Sequence, residues 1–226
     1  MTRAQTPAGP VLIIAPHPDD ETLGCGGLIA RRVDEGRRVV VVVLTDGRAL
    51  LKRFGIDTDP TPAEVSTMRK EETLRAVGLL GAETGDVRFL DFENERLVED
   101  RARATAELTA LIRELTPSEV YVTSPFEGHA EHIAANEMTR DACKTTSACP
   151  ALFEYIVNLK SGVALDALPR RVVRVDVSKY REREHDALQQ FRSHLGLISP
   201  KLPKPLDENY DRYLTSEETF LVDPRP

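Results

Sequence analysis

VLIIAPHPDDETLGCGG, Val11 to Gly27, joins three kinds of sequence in one short run. Val11 to Ala15 is apolar without alternation, the mark of a strand buried on both faces of a parallel sheet. Pro16 to Glu21 then crowds an imidazole, three carboxylates and two prolines into a turn, and from Thr22 to Val33 the pattern is helical. His17 and Asp20 are a borderline and a hard ligand for a divalent metal such as zinc. Two prolines with nearly fixed φ stiffen the turn between them, so both side chains could aim at one point. The plainer alternative is a helix N-terminus in which Asp19, Asp20 and Glu21 cap the chain and meet the helix dipole. That alternative leaves His17, between two prolines, without a reason.

Outward from this stretch the chain alternates. Val39 to Leu44 is a second wholly apolar strand, ending at the turn Thr45-Asp46-Gly47. Arg48 to Pro62 has no clear period and is expected to be a long loop that shapes a substrate mouth. Ala63 to Leu80 has helical spacing and stops at Gly81; Val87 to Leu90 is a short strand, followed by Asp91, Glu93, Asn94 and Glu95. Arg101 to Leu115 is a helix and Val120 to Thr123 a fourth strand. The expected fold is therefore α/β, a Rossmann-like, mostly parallel sheet with helices on both faces and its active site at the carboxyl ends of the strands. His17, Asp46 and Asp91 follow the first three strands there. After the fourth comes SPFEGHAEHIAAN, with His129 and His132 near the start of a helix running to about Lys144. A lone HxxH pair is often two surface histidines, but three of only five histidines in the chain fall at strand ends.

The remainder carries fewer signals. Leu152 to Leu159 and Val172 to Val177 are expected strands, and Lys179 to Leu195 a charged helix with His185 and His194 on its surface. A proline-rich tail then wraps the domain, with Phe220 to Val222 as a closing strand. No repeat or boundary divides the chain, so residues 1–226 are expected to form one domain with flexible ends at 1–9 and 223–226. Hydrophobic residues make up 41% and charged residues 30%, and the net charge of −7 argues against a nucleic-acid partner. No apolar run is long enough to span a bilayer, and the N-terminus lacks the apolar core of a signal peptide. Cys25, Cys143 and Cys149, without CxxC spacing, fit free thiols in a reducing cytoplasm, with Cys25 a small packing residue rather than a nucleophile. Trp is absent and aromatics are 5%, so a pocket for a small or single-sugar substrate is expected rather than a long stacking groove.

APHPDDETLGCGG together with the downstream HAEH resembles the PIG-L/LmbE-like family of zinc-dependent de-N-acetylases. MRKEETLRAVGLLG, RFLDFEN, FEYIV and DVSKYREREHDAL are also similar to its segments, so the likeness covers most of the chain. The resemblance implies that His17, Asp20 and His132 bind zinc, that Asp19 is the general base and that His129 stabilises the oxyanion. It implies hydrolysis of an N-acetylated amino sugar or glycoside by attack of zinc-bound water on the amide. Where the family has HPDH, this chain has His129-Ala130-Glu131-His132, and Glu131 is a candidate to orient an imidazole. Where some relatives carry Tyr two residues before the first histidine, it has Glu127.

Three protein ligands leave one position open, as catalytic zinc requires, and Fe2+ could take the same donors. A protonated His129 would be a charged donor to the oxyanion. Asp46, Arg69 and Asp91 are candidates to hydrogen-bond sugar hydroxyls or an attached phosphate, with an Arg69–Glu72 pair tying helix to sheet as the alternative. Two other functions stay open. One is a zinc amidase for a larger N-acyl or thiol-sugar conjugate. The other is a nucleotide-binding module in which Gly24, Gly26 and Gly27 cradle phosphates, although GxGG lacks the dinucleotide spacing.

Overall fold

The computed structural model describes residues 9–146 and 150–223. Its elements are β1 (Val11–Ala15), α1 (Asp20–Asp34), β2 (Val39–Thr45), α2 (Pro62–Leu79), β3 (Val87–Phe92), α3 (Arg101–Leu115) and β4 (Glu119–Thr123). After them come α4 (Ala130–Lys144), β5 (Ala151–Tyr155), β6 (Arg171–Asp176), α5 (Arg181–Leu188), α6 (Arg192–Leu195) and β7 (Glu217–Val222). The sheet runs β3-β2-β1-β4-β5-β7-β6. The first five strands are parallel, and β7 pairs antiparallel with both β5 and β6.

The apolar runs that show no alternation are those buried on both faces. Val11, Ile13, Val39, Val41 and Val43 face one core with residues of α1, α2 and α5; Leu12, Ile14, Val40, Val42 and Leu44 face another with residues of α3 and α4. Thr61 and Glu64 form a reciprocal capping box at the start of α2, with Pro62 at its first position. Strand order reverses between β1 and β4, so the loops after these neighbours diverge and leave a crevice at their carboxyl ends.

Three local expectations are corrected. Arg48 to Phe54 is a 3-10 helix, not loop, because Leu51 buries with Ile56, Val65 and Leu202 in a satellite cluster. The strand expected to reach Leu159 ends at Tyr155, beyond which Val157 and Asn158 turn their N–H groups onto Glu127 (2.8 and 2.7 Å). The helix expected over Lys179 to Leu195 breaks before Phe191. That ring is fully buried, and its carbonyl restarts a single turn by accepting from His194 and Leu195.

Most of the termini expected to be flexible, and Cys149, lie outside the described residues. Gly9 and Asp223, which are described, are held by Arg37 and by Arg140 and Arg170. Among the described residues no helix is long and apolar enough to cross a membrane.

Candidate active site

The turn after β1 is built by its own side chains. His17 N–H donates to Asp20 Oδ2 (2.9 Å), and Asp20 N–H donates to the His17 carbonyl (3.3 Å). His132, on the first turn of α4, enters from the far side of the crevice. His17 Nδ1, Asp20 Oδ2 and His132 Nε2 then lie 3.1, 3.3 and 3.2 Å apart, a nearly equilateral triangle. Ligand bonds of about 2.1 Å in tetrahedral geometry set neighbouring donors about 3.4 Å apart, so this donor set fits zinc. His17, His129 and His132 form a looser alternative set, with donor atoms within 4.8 Å of one another.

The second nitrogen of each imidazole in the triangle faces a carboxylate. His17 Nε2 donates to Glu131 Oε2 (2.8 Å), which also accepts from Asn94 Nδ2 (2.8 Å), while Glu131 Oε1 accepts from Leu97 N–H (3.1 Å). The longer arm of Glu131 thus bridges α4, the loop after β3 and His17. His132 Nδ1 is buried without a well-formed hydrogen bond, 3.4 Å from Glu127 Oε2. Burial lowers the basicity of His132, but Asp20 and Glu127 outweigh it and raise its pKa to about 10. Burial likewise opposes ionisation of Asp20, yet His132 and His17 hold its carboxyl well below the usual range.

Asp19 does not cap α1. Its backbone sits at φ 124°, outside the region L residues favour, and its N–H donates to the buried Glu21 Oε2 (3.1 Å). Asp19 Oδ2 takes Arg69 Nη2 at 3.1 Å, Tyr210 Oη at 3.2 Å and His194 Nδ1 at 3.5 Å. Burial pushes its carboxyl up to about 6, against the pull of Arg69. His129 is the N-cap of α4: its Nδ1 accepts from Glu131 N–H (3.2 Å), so its hydrogen is on Nε2. Burial, with His17 and His132 nearby, lowers its pKa. A neutral Nε2–H donor therefore replaces the expected charged one.

The three candidate substrate contacts separate. Arg69 lines the cleft, but it is spent on Asp19 and on the carbonyls of Pro18 (2.5 Å) and Gly47 (3.4 Å). The alternative pairing with Glu72 fails too, since Glu72 accepts from Ser193 N–H and Oγ (2.8 and 2.6 Å). Asp46 is buried, pairs with Arg48 and accepts from Asn94 N–H (3.3 Å), so its carboxylate is engaged within the loop, and it is not among the residues lining the cleft. Asp91 is not among the residues lining the cleft. The register of β3 against β2 shifts here, Asp91 takes φ 56°, and its exposed carboxylate pairs with Lys70 (2.5 Å) away from the cleft.

The glycines of α1 cradle no phosphate. A Cβ on Gly24 would lie 2.2 Å from the Tyr155 ring, and one on Gly27 would lie 2.6 Å from Val177 Cβ. Cys25 is buried, and burial followed by Glu218 pushes its thiol well up, away from nucleophile chemistry.

The resulting cleft, about 340 Å³, was only half legible beforehand. His194, Tyr210 and Arg212 join it from segments that carried no motif, with Asn94 from the end of RFLDFEN, and His194, expected on the surface, is 17% exposed at its side chain. Tyr210 in a proline-rich tail had no local signal at all.

Known proteins resemble this arrangement in sequence and fold. A family model described as PIG-L, GlcNAc-PI de-N-acetylase, matches residues 12–143. Diacetylchitobiose deacetylase of Thermococcus kodakarensis is 34% identical over 125 residues, 54% of this chain and 44% of that protein. A probable N-acetyl-alpha-D-glucosaminyl L-malate deacetylase 2 of Bacillus cereus is 31% identical over 126 residues, 55% of this chain and 56% of that protein. The chain thus spans about half the length of these curated relatives. In fold it is similar to GalB, the 4-carboxy-2-hydroxymuconate hydratase of Pseudomonas putida KT2440, with a TM-score of 0.74 over 96% of this chain and 98% of that one at 18% identity.

Proposed function

The chain belongs to the PIG-L family of GlcNAc-PI de-N-acetylases, and from that membership we propose that it is a metal-dependent hydrolase removing acetyl from an N-acetylated amino sugar or glycoside. The observation that carries this reading is the triangle of His17, Asp20 and His132 donor atoms beside the buried Asp19 carboxylate. Those three residues would hold Zn2+, or Fe2+ in the same donors, and the ion when bound supplies a Lewis acid and acidifies water. Glu131 and Glu127 orient the two imidazoles from behind. Asp19, its Oδ2 engaged by Arg69 and Tyr210, takes the proton of the attacking water on Oδ1. His129 Nε2–H donates to the carbonyl oxygen as negative charge develops on it, a role typically worth about 3 kcal/mol of barrier. Asp19 returns its proton to the leaving nitrogen, because His129 keeps Nδ1 on the cap of α4 and is neutral.

A cleft of about 340 Å³ suits a small sugar. A larger N-acyl or thiol-sugar conjugate is the second reading, favoured by a neighbouring cavity of about 330 Å³ that shares Ala49 and Asn94 with the cleft. One catalytic domain in a reducing cytoplasm belongs to the same proposal, in keeping with the free, buried Cys25.

The test is acetate release from a panel of N-acetylated sugars, glycosides and larger conjugates, with metal content measured alongside. His17→Ala and His132→Ala should lose metal and activity together. Asp19→Asn should keep metal while turnover falls at least about 100-fold. Full activity in metal-free protein would sink the reading.

A further inference from the structure

His194 stands on α6, beyond the stretch that matches the family model. Its Nδ1 faces two acceptors, Asp19 Oδ2 at 3.5 Å and Ser193 Oγ at 3.4 Å. Ser193 has already given its hydroxyl hydrogen to Glu72 Oε2 (2.6 Å), so its oxygen is an acceptor toward the ring. Nδ1 therefore carries the imidazole hydrogen, and Nε2 keeps its lone pair. With Arg69 and Tyr210 on the same atom, three donors from three segments converge on Asp19 Oδ2, and no donor among the described residues meets Oδ1. The 3.5 Å contact is long, as catalytic contacts often are before a ligand closes the site.

We propose that His194, anchored through Ser193 to Glu72, is a positioning residue that holds the Asp19 carboxylate by Oδ2 and so presents Oδ1 to the donor triangle. The inference rests on Asp19 as the general base of the proposed reaction. It assigns a working part to the C-terminal third of the chain, and it explains why a buried glutamate on α2 is spent on a serine backbone and hydroxyl instead of the nearby Arg69.

The test uses the full zinc-loaded chain. Two-bond 1H–15N correlation spectra read the imidazole tautomers, with the His194 signals identified by their loss in His194→Asn. A neutral Nδ1–H form is expected, and an Nε2–H form overturns the proposal whatever the activity. On whichever panel sugar releases acetate, His194→Ala should lower kcat about 10–100-fold, with KM within about twofold and zinc content unchanged. His194→Asn, whose amide nitrogen falls near the place of Nδ1, should recover most of the loss, and His194→Gln, whose amide reaches toward Nε2, should not. An unchanged kcat in His194→Ala, or rescue by Gln and not by Asn, overturns the proposal. A wild-type chain silent on every substrate but with His194 in the Nδ1–H form overturns the deacetylase reading and supports the contact with Asp19.

Discussion

Asp19 and Asp20 are neighbours in the chain with opposite surroundings. Asp20 is held ionised by two imidazoles, while Asp19 is lifted by burial to about 6. The backbone divides them: at φ 124° Asp19 turns its side chain away from the helix end it would otherwise cap, a strain of about 1–3 kcal/mol. Glu131 adds a consequence at this scale. Its two oxygens tie His17 to Asn94 and Leu97, so Glu131→Ala should weaken zinc affinity about 10–100-fold in competition with a chelating dye. On the proposed ligand set the metal would also displace a proton, because His132 without it is raised to about 10 and is charged at neutral pH. Adding zinc at pH 7.5 in weak buffer should therefore release at least about one proton per ion, since the pKa of His17 is raised as well, and affinity should fall as pH is lowered.

At the scale of elements, α1 departs from a regular helix. Cys25 takes φ −142°, and the helix resumes with Gly27 N–H and Leu28 N–H on the buried carboxylate of Glu218 (2.7 and 2.9 Å). A strand residue from the far end of the chain thus caps the second half of the first helix. Packing is close enough that Gly27→Ala should cost about 1–3 kcal/mol, lowering Tm by about 3–10 °C, since its Cβ would sit 2.6 Å from Val177 Cβ. Gly85→Ala, facing open space, should leave Tm within about 1 °C. The Gly24-Cys25-Gly26-Gly27 run was legible as a helical stretch of small residues. Its kink was not, because the donor set that Glu218 satisfies is absent from any local window. The break between α5 and α6 was hidden for a similar reason: the charged pattern there is continuous, and burial of Phe191 overrides it.

At the scale of the whole molecule, carboxylates buried behind α1 make stability depend on pH. Glu184 is buried with Oε2 unpartnered, and burial, against the weaker pull of Arg181, raises its pKa to about 7. The folded protein thus keeps a proton that the unfolded chain releases at the ordinary carboxylate pKa. This group's contribution declines as pH rises through that window, and the penalty is complete above about 7. Glu184→Gln should raise Tm at pH 8, by a gain on the order of 2 kcal/mol, and have little effect at pH 4.5 in thermal unfolding. Equal shifts at both pH values would contradict the assignment.

Apart from the choice of His132 over His129, which the family resemblance implied, the sequence by itself determined the alternation of strands and helices, the unalternating strands of a two-faced parallel sheet, and His17, Asp20 and the later histidine pair as candidate metal donors. Each of these is written in short windows, as apolar periodicity, turn chemistry and donor type. Only the tertiary structure decided that His17 and His132, 115 residues apart, share a point, because that follows from β1 and β4 lying side by side. It also decided how the neighbouring carboxylates differ, through Arg69, His194 and Tyr210 meeting on one oxygen of Asp19. Contacts of that kind come from the packing of whole faces, and no local pattern of residues encodes them.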